Sequence, residues 1–471
     1  MSVAALAAPR TLRDLPSPPG LPLLGHLTRL DPLRAHQQME AWARQLGTPY
    51  RLSFAGMPVM VIDDIETVHP LLRERPQHWR RGGRIRPVAR EMGFDGLFST
   101  EGADWAPQRR LVMAALAPTQ MRGFWAQLQA ITARLHRRWA EAARTGAVVE
   151  MGDELMRYTV DVTSALAFGE DPNTIDRDDD RIQRHLAEIF PMLMKRVMTP
   201  IAHWHWIKLP ADRRLDRALA VVHDHVRDLV RRTRERMARE PAAEPRNLLE
   251  SFLRQQDEPG SGITDEVVRA NVLTMLLAGE DTTAHSLAWA LLHLGRHPAW
   301  QDRLHAEARA VLGEAPVCPT IEALRRLELC EAAVTEAQRL SPVVPFHSFE
   351  PEQDTVLAGV ALPRGTKVFF LSRPAALDPR HFHEPLRYDP ERWLRPREAQ
   401  PGAHEPRAFL QFGAGPRVCP GRHLSGVEMR LVIGMLMREF RVELAADSAS
   451  IEEVSAFTCG PSRMPVRLLP R

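Results

Sequence analysis

The sequence predicts a mainly α fold: one large helical domain with a small β-rich portion. Three observations carry that expectation. From Trp105 to about Arg239, apolar residues recur at helical spacing with charged residues between them. A second helical run opens at Thr264 and continues without a breaker to about Arg296. Strand-like alternation is confined to short stretches, Tyr50 to Ile62 and Thr355 to Leu371.

Each element has a local reason. The run Pro16-Ser17-Pro18-Pro19-Gly20-Leu21-Pro22 cannot be helical, because proline lacks the amide donor and fixes its own backbone angle. It divides a flexible tail, residues 1–15, from a single domain over residues 16–471. Tyr50 to Ile62 reads as strands about a turn at Gly56-Met57-Pro58. The helical region after Trp105 is interrupted by turn formers at Gly169 to Asp180 and around Pro191 to Pro210. Thr264 caps the long helix and His297-Pro298 stops it, giving a rod on the order of 45–50 Å. Another helix ends at Leu340 before Ser341-Pro342, and Gly359, Pro363 and Gly365 punctuate the Thr355 to Leu371 strands. A last helix runs from about Arg422 to Phe440.

Bulk properties exclude several classes. With 471 residues, 44% hydrophobic and 26% charged, the chain has ample material for a buried core. A net charge of +3 implies no nucleic-acid partner. Four cysteines, with no C-x-x-C pair, make no disulfide framework and agree with a reducing, cytoplasmic setting. The apolar start, Met1 to Ala8, is too short to span a bilayer and lacks a secretory pattern, so no transmembrane anchor is expected.

The segment richest in chemistry is Phe412-Gly413-Ala414-Gly415-Pro416-Arg417-Val418-Cys419-Pro420-Gly421. Glycines at 413, 415 and 421 let the backbone turn tightly and approach a flat ligand closely. Cys419 stands just ahead of a helix start, where unpaired amides and the helix dipole favour a thiolate. Arg417 sets a permanent cation nearby, suited to a carboxylate. A zinc site built on Cys419 and His423 lacks a second ligand pair, and a phosphate loop lacks a preceding strand. A structural cysteine would explain neither the glycines nor the arginine.

The spacing of Phe412, Gly415, Arg417, Cys419 and Gly421 resembles the F-x-x-G-x-R-x-C-x-G signature of cytochrome P450s. Three further motifs follow the family's order. Ala278-Gly279-Glu280-Asp281-Thr282-Thr283 on the long helix resembles its oxygen-activation motif A-G-x-D-T-T. Glu336-Ala337-Gln338-Arg339 resembles its E-x-x-R pair, joined by Arg392 from Asp389-Pro390-Glu391-Arg392-Trp393. Trp105 and Arg109 match its W-x-x-x-R pattern. One departure stands out: where the family has an arginine after P-x-x-P, this chain has Phe349.

The resemblance, over roughly residues 16 to 471, implies the P450 fold and a haem-thiolate monooxygenase. Its cofactor would be heme b (iron protoporphyrin IX), with Cys419 as the metal ligand. Phe412, Gly413, Gly415, Arg417 and Gly421 of the loop, with Trp105, Arg109, Ala278 and Gly279, would bind that cofactor. Asp281 and Thr282 would deliver protons to dioxygen, and the Thr282 hydroxyl would bond to the carbonyl of Ala278. Glu336, Arg339 and Arg392 would serve folding and haem retention. Val343, Val344 and Phe346 would line the pocket of a small-molecule apolar substrate.

Electrons would come from NAD(P)H through a separate ferredoxin or flavodoxin with its reductase, since no fused reductase follows Cys419. Arg109, Arg110, Arg422 and Arg430 would offer such a partner a basic surface, and the chain would act as a monomer. The run Arg80, Arg81, Arg84 and Arg86 could meet a substrate carboxylate or remain solvated. Ile189 to Leu209, with Phe190, Met192, Met194, Met198, Trp204 and Trp206, falls where the family has its lid. Within the family a peroxide-driven oxidase is the alternative, and outside enzymology a haem-binding protein that does not turn over.

Overall fold

The computed structural model describes residues 9–177, 181–199, 201–240, 244–455 and 457–471. Its helices, in chain order, are α1 (Ala35–Leu46), α2 (Ile65–Arg73), α3 (Ile85–Glu91), α4 (Trp105–Ala115), α5 (Pro118–Thr145), α6 (Met151–Phe168), α7 (Arg181–Met198) and α8 (Pro210–Arg239). They continue with α9 (Leu248–Asp257), α10 (Asp265–Arg296), α11 (Pro298–Leu312), α12 (Ile321–Leu324), α13 (Glu328–Leu340), α14 (Ser372–Ala376) and α15 (Arg422–Glu439). The strands are β1 (Tyr50–Phe54), β2 (Met57–Ile62), β3 (Trp79–Arg81), β4 (Val148–Glu150), β5 (Phe346–Pro351) and β6 (Thr355–Leu357). After them come β7 (Val360–Leu362), β8 (Lys367–Leu371), β9 (Phe440–Leu444), β10 (Glu453–Ser455), β11 (Cys459–Pro461) and β12 (Pro465–Pro470).

The mainly α expectation holds, and the long helix forms as its caps dictate. The Thr264 side chain accepts the Val267 amide, and α10 ends at Arg296 before His297-Pro298. Two boundaries differ. Pro191 lies inside α7, which runs on to Met198, because the flanking Ile189 and Leu193 are buried and their packing outweighs one lost helix bond. The β1–β2 turn is made by Ala55 and Gly56, both at positive φ, and Pro58 lies in β2. It precedes the β2–β8 pairing, which starts at Val59, so its missing N–H costs nothing on that side.

The described residues form two compact units. The first comprises residues 9–85, 344–386 and 401–419. Its five-stranded sheet has the order β1-β2-β8-β5-β3, antiparallel throughout except for the parallel β2–β8 pair. Helix α1 covers it, and Met39, Trp42, Tyr50, Leu52, Val59, Val61, Phe369 and Leu371 make one core. From the segment before Pro16, the Arg10 amide bonds to the Gly359 carbonyl, and Leu12 and Leu15 are buried; residues 1–8 lie outside the described ones.

The second unit comprises the described residues of 86–343, 387–400 and 420–471. Helix α10 is its axis, buried along most of its length, and runs against α6 so tightly that a Cβ on Gly279 would stand 2.6 Å from Thr163 Oγ1. A three-stranded antiparallel sheet, β4-β12-β9, and the hairpin β10–β11 complete it. Among the described residues no helix is long and apolar enough to cross a membrane.

Candidate functional site

The cysteine loop belongs to the first unit. Gly413 and Gly415 adopt φ of 68° and 70°, conformations that side-chain-bearing residues resist. A Cβ on Gly415 would also collide with the Leu72 carbonyl oxygen, so the loop rests directly on the last turn of α2. Residues Gly415–Arg417 form one 3-10 turn, and the Cys419 amide closes the loop by donating to the Phe412 carbonyl at 2.9 Å. Of the four cysteines, Cys419 is exposed while Cys318, Cys330 and Cys459 are buried. Burial holds the Cys318 thiol up at about 11 and the Cys330 thiol well above its ordinary range, so neither ionises readily. Cys419 belongs to no cluster of three metal-ligating side chains among the described residues, which disfavours the zinc reading.

The remaining motifs, with Gly421, belong to the second unit. In the middle of α10, Ala278 is exposed although Leu277 and Glu280 beside it are buried. The Thr282 hydroxyl donates to the Ala278 carbonyl at 2.9 Å, as the sequence predicts. Ser286 repeats the device, donating to the Thr282 carbonyl at 2.8 Å. Asp281 is held up to about 6 by burial alone. Facing this turn from α6, Thr163 Oγ1 is buried with no hydrogen-bond partner among the described residues.

Trp105 and Arg109 stand one turn apart on α4, the indole buried and the arginine half-buried. Two residues absent from the sequence expectations fix that helix. Asn271 of α10 donates to Gln108 Oε1 at 2.9 Å, and its own Oδ1 accepts the Leu97 amide at 2.9 Å. A buried asparagine in an otherwise apolar helical run is the signal that could have found it.

The E-x-x-R pair is a buried charge network, not a surface pair. Glu336 accepts two bonds from Arg339, at 2.9 and 2.8 Å, and one from Arg392 Nε at 2.9 Å. The Trp393 indole and the Asp389 amide also donate to it, at 3.0 and 3.1 Å. Glu336 and Arg339 are fully buried and Arg392 nearly so. The carboxylate is thus saturated with donors, as a buried charge must be.

The expected pocket residues fall on both sides of the Val343–Val344 boundary between the units. Val343 is buried in the second unit, where its carbonyl accepts the Cys459 amide. Val344 and Phe346 belong to the first, the Phe346 ring packing against Phe369 at 5.5 Å. Phe349, in the family's arginine position, is buried with the Arg75 guanidinium 5.1 Å above its ring. Of the arginine run, Arg80 pairs with Glu350 and Glu352, and Arg86 with Asp95 and Asp104. Arg110 and Arg422 are exposed, whereas Arg430 pairs with Glu331. Trp204 is buried beneath Arg196 and bonds to Glu91, while Trp206 is 77% exposed. The Phe190 side chain lies outside the described ones.

Comparison with known proteins agrees with this fold. The family model described as Cytochrome P450 matches residues 15–466. Cyclooctat-9-en-7-ol 5-monooxygenase of Streptomyces melanosporofaciens is 30% identical over 90% of this chain and 89% of its own length. The mitochondrial 25-hydroxyvitamin D-1 alpha hydroxylase of Homo sapiens is 28% identical over 97% of this chain and 92% of its own. Pentalenene oxygenase of Streptomyces avermitilis is 28% identical over 83% of each. The crystal structure of the cytochrome P450DA heme domain superposes with a TM-score of 0.86 at 26% identity, covering 97% of this chain and 98% of that one. The chain belongs to the cytochrome P450 family, and its relatives make it a cytochrome P450 monooxygenase.

The family implies a haem, and the residues present suit one. The loop offers one accessible thiol on a backbone that turns through positive φ at two glycines. Helix α10 offers an uncovered stretch at Ala278, free of bulky side chains, followed by a titratable acid and a hydroxyl.

Proposed function

We propose that this chain is a haem-thiolate monooxygenase that inserts one oxygen atom of dioxygen into an apolar organic substrate. The observation that carries the proposal is the exposed Cys419 thiol at the end of a loop held by Gly413, Gly415 and the Phe412 carbonyl. In this reading Cys419, as thiolate, holds the iron, and Phe412, Gly413, Gly415, Arg417 and Gly421 shape its cradle. Ala278 and Gly279 leave room beside it, and Trp105, Arg109 and Arg417 supply donors for its carboxylates. When bound there, the haem supplies the activation of dioxygen, favoured by electron donation from the thiolate.

The chain's own residues move protons. Asp281, poised at about 6, can release and recover a proton near neutral pH, and Thr282 can hold a water beside the Ala278 carbonyl. That acid pair favours a reductive route over the peroxide-driven one, which needs no delivered protons, and over a haem carrier. Glu336, Arg339 and Arg392 keep the second unit folded, and Val343, Val344 and Phe346 serve the substrate pocket. Electrons come from NAD(P)H through a ferredoxin or flavodoxin and its reductase, to a cytoplasmic monomer. Relatives named for cyclooctat-9-en-7-ol, pentalenene and 25-hydroxyvitamin D support an apolar substrate.

The test is turnover under isotopically heavy dioxygen with a surrogate ferredoxin and reductase, against a panel of apolar substrates. A product carrying one heavy oxygen atom, absent with Cys419→Ser, is expected. Product carrying oxygen only from added peroxide would favour the peroxide-driven oxidase.

A further inference from the structure

Helix α10 carries a second polar device one turn beyond the acid pair. His285 follows Asp281 by four residues and Thr282 by three, so it shares their face at a rise of about 6 Å. Its Nδ1 lies 2.7 Å from Thr458 Oγ1, in the connection between β10 and β11. Thr458 is buried, and burial keeps the His285 ring neutral, lowering it to about 4. Gly460 packs close to that ring, since a Cβ there would approach Cδ2 to 2.5 Å.

One turn further, the Trp289 indole donates to the Cys459 carbonyl at 3.0 Å. The hairpin tip is therefore tied to α10 at two successive turns, with Phe457 of the tip edge-on to Phe98 at 5.8 Å. Phe98 is held in turn to the same helix through Leu97 and Asn271. Two loops thus hang from α10 on either side of Ala278–Thr282, and their aromatic rings meet.

We propose that His285 is a positioning residue for the oxygenation reaction: its bond to Thr458 fixes the hairpin tip relative to the Asp281–Thr282 turn and thereby sets how a bulky ligand lies beside that turn. A small ligand that does not reach the tip is indifferent to the bond. The inference rests on the haem-monooxygenase reading given above. A satisfied buried hydrogen bond of this kind changes a dependent equilibrium by about 2- to 10-fold.

The experiment titrates ferric holoprotein with imidazole and with 4-phenylimidazole, following the shift of the haem absorption. The variants are His285→Ala, Thr458→Val and His285→Asn, whose amide can stand in for Nδ1. We expect the 4-phenylimidazole affinity to change about 2- to 10-fold in His285→Ala and Thr458→Val while the imidazole affinity stays. His285→Asn should resemble the wild type. Amide hydrogen exchange should rise over 453–461 alone in the two disruptive variants. Equal changes for both azoles, no change for either, or failure of His285→Asn to restore binding would overturn the proposal. Thr458→Val keeps it testable if His285→Ala does not fold. A wild type whose absorption responds to neither azole would instead overturn the haem reading itself, and this proposal with it.

Discussion

The Thr282 hydroxyl donates to the carbonyl oxygen of Ala278 across 2.9 Å, at the one turn of α10 where an exposed alanine interrupts buried neighbours. The bond points the hydroxyl back along the helix and gives that carbonyl a second donor. Asp281 stands beside it with no cation paired to it among the described residues, so burial alone sets its titration at about 6.

The acid pair makes a kinetic prediction. With a substrate that gives labelled product, Asp281→Asn should slow turnover by about 10²-fold, the lower end for a lost general acid. Thr282→Ala should keep electron consumption but lower the product formed per NAD(P)H. Wild-type turnover should also show a titration near pH 6 that Asp281→Asn lacks. Measured stoichiometry and pH profiles check all three, and unchanged coupling in Thr282→Ala would remove it from proton delivery.

A second prediction concerns the buried network. Glu336 satisfies two buried arginines at once, so Glu336→Ala leaves both charges without their carboxylate and should cost about 3–5 kcal/mol. Arg339→Lys should fail to rescue, because an ammonium cannot reproduce the two parallel bonds to Oε1 and Oε2. Denaturation midpoints and the yield of haem-loaded protein are the readouts.

The two loop glycines should separate. Gly413 and Gly415 share a positive φ, but a Cβ at 413 meets open space whereas one at 415 collides with the Leu72 carbonyl. Gly413→Ala should therefore cost about 1–2 kcal/mol of backbone strain, and Gly415→Ala distinctly more. Thermal denaturation of the two variants side by side measures the difference.

Glu428 of α15 makes a prediction about pH. It is wholly buried, its Oε2 has no hydrogen-bond partner among the described residues, and burial raises it to about 8. Burial first, and the charge of Glu428 second, raise the Tyr158 hydroxyl, whose oxygen lies 3.2 Å from Thr132 Oγ1. A carboxyl raised on folding binds its proton more tightly in the native state. Its contribution is therefore fully present below the unfolded value near 4.5 and is lost as pH rises through about 8. Glu428→Gln should remove that loss, so the variant gains on the wild type between pH 6 and 9 by a few kcal/mol. Urea denaturation at several pH values tests this, and parallel curves would contradict it.

Much of this was legible in the sequence because it is local. Thr264 and His297-Pro298 bound α10 through contacts within one turn, and the Thr282–Ala278 bond spans four residues. Long-range pairings were not legible. Strand β4 is three residues long and exists only because Val149 finds Val466 more than three hundred residues away. The Gln108–Asn271 and His285–Thr458 bonds likewise join residues with no shared spacing, although a polar residue within an apolar helix marked each helical partner. Pro191 misled for the opposite reason, since a local breaker was overridden by packing of its neighbours.

In the proposed reading Cys419, and no other cysteine, holds the haem iron as a thiolate. The most direct measurement is the difference spectrum of the reduced protein with and without carbon monoxide, for the wild type and for serine at each cysteine in turn. The red-shifted Soret band of thiolate-ligated haem is expected in the wild type, kept in Cys318→Ser, Cys330→Ser and Cys459→Ser and lost in Cys419→Ser. A wild-type band at the position typical of histidine ligation, or its thiolate form surviving in Cys419→Ser, would contradict it.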